Sequence, residues 1–273
     1  MRLHSLPILA IVLILAGSRA PAQDLPASTP PALGPDLSRF LPKEDLERDG
    51  RRTLGSFPKN LGRSFVGVFS KDNLNPFLVG AGFAGGAFLV DSHAQSTLQG
   101  QAPGISKAAS TAGGLTYMVP ATLGLFAAGR FAEGSRFRAF SYDVTQAVIV
   151  NGVYTDVLKR IATRPRPDGS NNLSFPSGHT STAFAWATVA QAHYGWKAGI
   201  PSYVAASAIG LSRVTNGKHH LSDVLAGATL GYVTGRTVVR TNGEPVGRHQ
   251  TFALHPMTDA QGAGVGLGAT VSW

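Results

Sequence analysis

The chain of 273 residues predicts a mostly α protein, a helical bundle of about six core helices with a short C-terminal β-hairpin. Three observations carry this. Apolar or small-residue stretches recur at about 76–90, 115–131, 143–161, 179–194, 198–211 and 221–239, rich in alanine and without the strict alternation of half-buried strands. Thirty-three glycines and a charged content of 14% against 43% hydrophobic suit helices that pack closely or lie near a membrane. The last segment, Gly264 to Trp273, alternates small and apolar residues after the turn-forming run Thr258-Asp259-Ala260-Gln261-Gly262, which predicts a hairpin packed on the bundle.

The elements follow in order. In residues 1–22, Arg2 and His4 precede the apolar run Leu6 to Ala16, and Ala20-Pro21-Ala22 closes it, the order of a secretory signal peptide cut after Ala22. The run falls short of the ~20 residues a spanning helix needs, which favours cleavage over an uncleaved anchor. An exported protein of the periplasm or cell envelope is therefore expected. Residues 23–75 form an N-terminal lead-in: 23–36 are rich in proline, alanine and serine, and 37–73 mix charges with Phe40, Phe57, Phe65 and Phe69, as amphipathic pieces would. Residues 76–240 hold the helical domain and 241–273 the extended tail. The polar load of 180–194 (Thr180, Ser181, Thr182, Thr188, Gln191, His193) speaks for a bundle that does not span a membrane, whereas 76–90 and 115–129 carry no charge at all. Asp91 and His93, after the first of these stretches, read as a solvated helix end.

The formal net charge is +9, with Arg2 and Arg19 inside the signal segment. A basic chain favours anionic partners, whether phosphorylated small molecules, lipid phosphates or an acidic membrane surface. Nucleic acid is disfavoured, because the basic residues are scattered without interleaved aromatics. The absence of cysteine excludes disulfides, zinc–thiolate sites and a cysteine nucleophile. No metal-ligand spacing occurs, so neither a metal nor another cofactor is expected.

Three clusters carry chemistry. In the first, Lys159 falls in the last turn of helix 143–161, and Pro165 and Pro167 force an extended exit that can aim Arg166, whose planar fork matches two phosphate oxygens. A basic helix end complementing the dipole is the plainer reading of these residues alone. In the second, Pro176-Ser177-Gly178-His179, Ser177 is placed as N-cap, so that free amides and the positive helix end face one spot. Gly178 lets a ligand approach the backbone there, and His179 stands beside it as a proton donor. In the third, Arg213 precedes His219, and Asp223 lies four residues beyond on the same helical face, where its carboxylate can orient the imidazole and leave the other ring nitrogen nucleophilic. A helix-capping His–Asp pair is the bland alternative. Asp156 is expected to pair with Lys159 or Arg160 on one helix face, and His220 to flank the site. Taken together, three cations, a helix N-terminus, two histidines and one carboxylate are the parts needed for phosphoryl transfer without a metal.

Lys159-x6-Arg166-Pro167, Pro176-Ser177-Gly178-His179 and Ser212-Arg213-x5-His219-x3-Asp223 resemble the three-part signature of the type 2 phosphatidic acid phosphatase superfamily, at every position and in order. That group includes lipid phosphate phosphatases, bacterial non-specific acid phosphatases and vanadium haloperoxidases. The resemblance implies a mostly helical bundle over about 76–239. It also implies a metal-independent phosphatase working through a phosphohistidine, with His219 as nucleophile, His179 as acid and Asp223 as orienter. Lys159, Arg166, Arg213, Ser177 and Gly178 would surround the phosphate. A lipid phosphate substrate fits the apolar helices, and a soluble ester fits the signal peptide. Two other functions compete: a haloperoxidase with vanadate in the cradle, and a non-enzymatic envelope scaffold.

Overall fold

A computed structural model describes residues 49–243 and the backbone of 251–258 and 265–272. The expected signal peptide, the proline-rich lead-in, Phe40, and most of the turn before Gly264 lie outside the described residues.

Eight α-helices make up the described body: α1 (Phe57–Gly67), α2 (Leu74–Leu98), α3 (Pro103–Ala112), α4 (Leu115–Phe131), α5 (Ser135–Ala162), α6 (Gly178–Tyr194), α7 (Trp196–Thr215) and α8 (Leu221–Thr241). The predicted fold class needs correcting. Residues 49–243 contain no strand, and helices number eight rather than six, so the mostly α class fits but a C-terminal β-hairpin packed on the bundle is not supported. Past Gly243 the described backbone consists of two extended segments, Thr251–Thr258 and Val265–Ser272, which pair antiparallel with each other. Alternating small and apolar residues suit an extended chain, but that pattern is local and does not decide whether the chain joins a helical core.

The two unforeseen helices have different causes. α1 arises from the phenylalanine-bearing segment: Phe57 meets Tyr142 edge-on at 5.1 Å, and Phe65 lies 5.8 Å from Tyr154, so its aromatic face binds α5. α3 is short and polar and takes its place from tertiary contacts, the Ser106 hydroxyl lying 2.9 Å from Asn216 Oδ1 at the end of α7.

At the centre, α6 packs between α5, α7 and α8. Its contact with α8 depends on a stripe of glycines four residues apart. A β-carbon on Gly231 would lie 2.1 Å from the Ser181 carbonyl oxygen, and one on Gly235 2.9 Å from that of Ala185. Only glycine permits such an approach of two helix backbones. The core between them is built from Val144, Ala147, Val150, Ala185, Val189, Val233 and Val238, all fully buried. The polar residues of α6 that spoke against a lipid-facing helix point inward instead: Ser181, Thr182, Thr188 and His193 are buried, and Asn151 of α5 donates to the hydroxyls of Ser181 and Thr182.

α2 packs on α8 with its small side. Gly80, Ala87, Asp91 and Ala94 are buried, while Leu78, Val79, Phe83, Phe88 and Leu89 face outward at 59–82% exposure. Lys71–Leu98 is long and apolar enough to cross a membrane, and α3 with α4, bent by 42°, reaches the same measure as a pair. Asp91 is not the solvated helix end expected from sequence. The helix runs two turns past it, and it is 6% exposed.

At the other end of the bundle, fully buried Asp143 of α5 accepts from Arg52 through both oxygens at 2.9 Å, from Asn242 at 2.8 Å, and lies 2.8 Å from His193 Nε2. This network fastens the segment before α1 to the bundle core.

Candidate active site

The three sequence clusters meet at the ends of α5, α6, α7 and α8. α5 stops at Ala162 because Thr163 takes a left-handed conformation (φ +44°), after which the Arg164-Pro165-Arg166-Pro167 run leaves the helix as its two prolines demand. Lys159, one turn before that end, donates to the Leu173 carbonyl at 2.6 Å. Arg166 is steadied by Asn171, whose side-chain oxygen accepts from its Nε at 2.9 Å and whose carbonyl accepts from its backbone amide at 3.0 Å.

Ser177 does stand at the N-cap of α6, in extended conformation and fully buried, but its hydroxyl caps no amide; it accepts from the Thr180 hydroxyl at 2.9 Å. The first-turn amides of α6 are thus left free of a side-chain cap, beginning at Gly178. The Ser177 amide is bound to the Asp223 carbonyl oxygen at 3.0 Å, which joins the second cluster to the third. Arg213 ends α7 and is buried, with Nη1 bonded to the Ser110 hydroxyl of α3. The chain then doubles back through Gly217 (φ +64°), and the His219 amide donates to the Arg213 carbonyl at 3.1 Å.

His219 is 1% exposed, and its Nδ1 lies 3.7 Å from Asp223 Oδ2. At that separation the carboxylate orients the ring by its charge, because the distance is too long for a hydrogen bond. The same oxygen accepts from the Ser174 hydroxyl at 2.5 Å and from the His220 amide at 2.8 Å, so Asp223 also caps α8. Burial by itself would raise Asp223, but His219, Ser174, the His220 amide and Arg164 together bring it down to about 2.

The charges act on one another across the site. His179 is depressed to about 3, mainly by burial and then by Arg213, His219, Arg166 and Lys159. His219 is lowered to about 4, again chiefly by burial. Lys159 falls to about 8 through burial and the neighbouring Arg166, and Arg213 to about 10 for the same two reasons. Burial and the charges of Lys159, Arg166, Arg213 and the two imidazoles thus act on one another in poorly solvated surroundings. An anion placed there would relieve all of them at once. Among the described residues no group of three or more His, Asp or Glu side chains could hold a metal ion.

An apolar groove opens from this place. Leu115, Val119 and Leu123 of α4 and Val148, Ile149 and Gly152 of α5 line it, and it ends at Lys159 and Gly178.

Sequence reading missed four residues here. Arg164, Ser174, Asn171 and Asp91 all contact groups of the three clusters or one another. Arg164 could have been suspected from the Arg-Pro-Arg-Pro repeat, and Asp91 from being the sole charged residue of an apolar helix. Asp156 pairs with Arg160, at 2.8 Å, as the spacing indicated, and His220 lies beside the site with Nε2 3.3 Å from the Pro165 carbonyl.

Cations and imidazoles are thus gathered at the ends of these helices, an arrangement that suits an anion. Residues 142–245 match the PAP2 superfamily. A stretch of 75 residues is 47% identical to lipid A 1-phosphatase of Porphyromonas gingivalis, over 26% of this chain and 17% of that protein. A stretch of 127 residues is 32% identical to lipid phosphate phosphatase 1 of Arabidopsis thaliana, over 31% of this chain and 39% of that one. The chain therefore spans well under half the length of both relatives. A transmembrane PAP2 type phosphatidylglycerolphosphate phosphatase from Bacillus subtilis shares the fold, with a TM-score of 0.52 at 21% identity, over 62% of this chain and 94% of that structure.

Proposed function

We propose that the protein is a metal-independent phosphatase acting on a lipid phosphate at a membrane, through a phosphohistidine. The observation that carries the substrate class is the continuity of the apolar groove between α4 and α5 with Lys159 and Gly178. A phosphate seated among the cations leaves its apolar chain beside Leu115, Val148 and Gly152, where burial of each methylene contributes about 0.8 kcal/mol. The outward apolar face of α2 supports the membrane setting, because water would gain nothing by exposing Leu78, Phe83, Phe88 and Leu89 while small residues fill the interior. Relatives that bear the names of lipid phosphatases support the same reading.

In the proposed reaction a ring nitrogen of His219 attacks phosphorus in line, forming a P–N bond as the P–O bond to the lipid breaks. The leaving alkoxide takes its proton from His179. Water then attacks phosphorus, giving its proton back to His179, and the P–N bond breaks to release inorganic phosphate. Lys159, Arg166, Arg213 and the amides of the α6 N-terminus stabilise the equatorial oxygens throughout. His179, held low by burial and the cations around it, is raised by a dianionic substrate that cancels the surrounding positive charge, so the substrate itself loads the acid.

The test is phosphate release from a long-chain phosphatidate in mixed micelles and from a soluble aryl phosphate, with and without vanadate. Vanadate-sensitive release, abolished in His219→Ala, is expected. Loss of Arg166 or Arg213 is expected to lower kcat about 10²–10³-fold, as for a lost oxyanion donor. Full activity in His219→Ala would overturn the mechanism, and equal kcat/KM on both substrates would overturn the lipid assignment.

A further inference from the structure

Behind Asp223 lies a chain of ionic contacts that the reaction as described does not use. Asp223 Oδ1 accepts from Arg164 Nη1 at 2.6 Å. The other arm of that guanidinium, Nη2, donates to Asp91 Oδ2 of α2 at 2.8 Å. Ser222 closes the loop: its hydroxyl accepts from Arg164 Nη1 at 2.7 Å and donates to Asp91 Oδ2 at 2.5 Å, and its amide donates to Asp91 Oδ1 at 2.9 Å. Phe88, one turn before Asp91 on the same helix, lies under the guanidinium at 5.0 Å. Asp91 is the one acidic or basic residue between Leu74 and Leu98 other than His93, and it is buried.

We infer that Asp91 and Arg164 are positioning residues for the Asp223–His219 pair, so that α2 sets the geometry of the nucleophile. The argument is one of competition for a fork. A guanidinium facing a single carboxylate closes on it through both arms, the preferred geometry of such pairs. Here Asp91 occupies one arm, so Arg164 touches Asp223 through Oδ1 alone. Oδ2 is left to Ser174, the His220 amide and the His219 ring. Without Asp91, the freed arm turns to Asp223, draws Oδ2 away from the imidazole, and the ring loses the charge that orients it. Asp91 thus acts on His219 through two intermediates, and touches neither substrate nor the phosphate-binding cations.

This inference rests on the phosphatase reading, and the experiment separates the two. The full chain is purified in detergent and assayed for vanadate-sensitive phosphate release, with circular dichroism and thermal unfolding of every variant. Absence of any such release in the wild type would count against the phosphatase reading, independently of Asp91. Given an active wild type, Asp91→Asn is expected to lower kcat about 10–100-fold, the scale of losses when a partner behind a ligating histidine is removed. KM and the vanadate inhibition constant should stay within about 3-fold, because Lys159, Arg166 and Arg213 are untouched. The sharper arm is Asp91→Asn with Arg164→Gln. Removing the guanidinium as well releases Asp223, so the double variant should have a higher kcat than Asp91→Asn alone. A purely structural role would instead show as a lowered thermal midpoint in Asp91→Asn that the second substitution restores, so the recovery is read as kcat per folded molecule, with the midpoints measured alongside. A kcat in folded Asp91→Asn within 2-fold of wild type would overturn the inference. So would a loss confined to KM, or a double variant whose kcat per folded molecule does not exceed that of Asp91→Asn.

Discussion

Gly227 of α8 crosses Ser177 so closely that a β-carbon on the glycine would lie 2.6 Å from the Ser177 carbonyl oxygen. Ser177 stands at the start of α6, and α8 begins with the cluster holding His219 and Asp223. The spacing of the two helices at the site is therefore set by the absence of one side chain. Gly227→Ala must push backbone from backbone, an overpacking that costs about 1–3 kcal/mol. The expected outcome is a fall in thermal midpoint together with a loss of activity in the protein that remains folded. An unchanged midpoint and kcat would mean that the helices separate freely.

Proton uptake should accompany anion binding. Burial first of all lowers His179 to about 3, His219 to about 4 and Lys159 to about 8. A bound anion favours the protonated form of all three, so each bound-state value lies above the free one. Affinity must then rise as pH falls through the interval between bound and free values. For Lys159 this means that phosphate or vanadate binding weakens as pH climbs above about 8. Calorimetry in buffers of different ionisation enthalpy reads the proton count directly, and proton release on binding would contradict this electrostatic account.

Gly152 offers a place to plug the groove. Nothing lies within 4 Å of a β-carbon built there, so a large side chain enters the groove without displacing neighbours. Gly152→Trp is expected to displace at least two methylenes of a bound chain, about 1.6 kcal/mol, and to lower the ratio of long-chain to short-chain kcat/KM about 15-fold. Parallel assays on dioctanoyl and dioleoyl phosphatidates measure that ratio, and a constant ratio would place the chain elsewhere.

Asp143 is expected to matter for stability. It accepts from Arg52 and Asn242 and neighbours His193 Nε2, all in a buried setting. Asp143→Ala strands the Arg52 guanidinium, a change that costs about 3–5 kcal/mol. The urea midpoint should drop accordingly. Asp143 and Lys159 are sixteen residues apart on α5, about 24 Å along the helix, so the kcat of the folded fraction should stay near wild type.

The helices legible in the sequence were those whose cause is local. α4 runs from Leu115 to Phe131, as the apolar stretch indicated, and α6 and α8 begin within a residue of their expected starts, because the Pro176-Ser177 and His219-His220 turns mark them. α3 was not legible, since its polar residues carry no periodic face and its docking depends on Ser106 and Ser110 meeting the end of α7. The tail misled for the opposite reason: its alternation was visible, but a local alternation does not say whether an extended segment joins a helical core. At the site, Lys159, His179, Arg213, His219 and Asp223 could be named from spacing, since residue type and helical phase alone suggest their chemistry. Their meeting could not.

By itself the sequence determined that helices would form, where most begin, and which side chains carry charge and proton-transfer capacity, because propensity, capping and short-range spacing act within a few residues. Tertiary structure alone decided which helices touch, that Asp91 turns inward to Arg164 rather than outward to water, and that Asp223 stands 3.7 Å from His219 instead of hydrogen-bonding it. Those outcomes depend on backbone approach at glycines and on competition among buried charges. Both are settled between residues as far apart as 91 and 223, where no local pattern reaches.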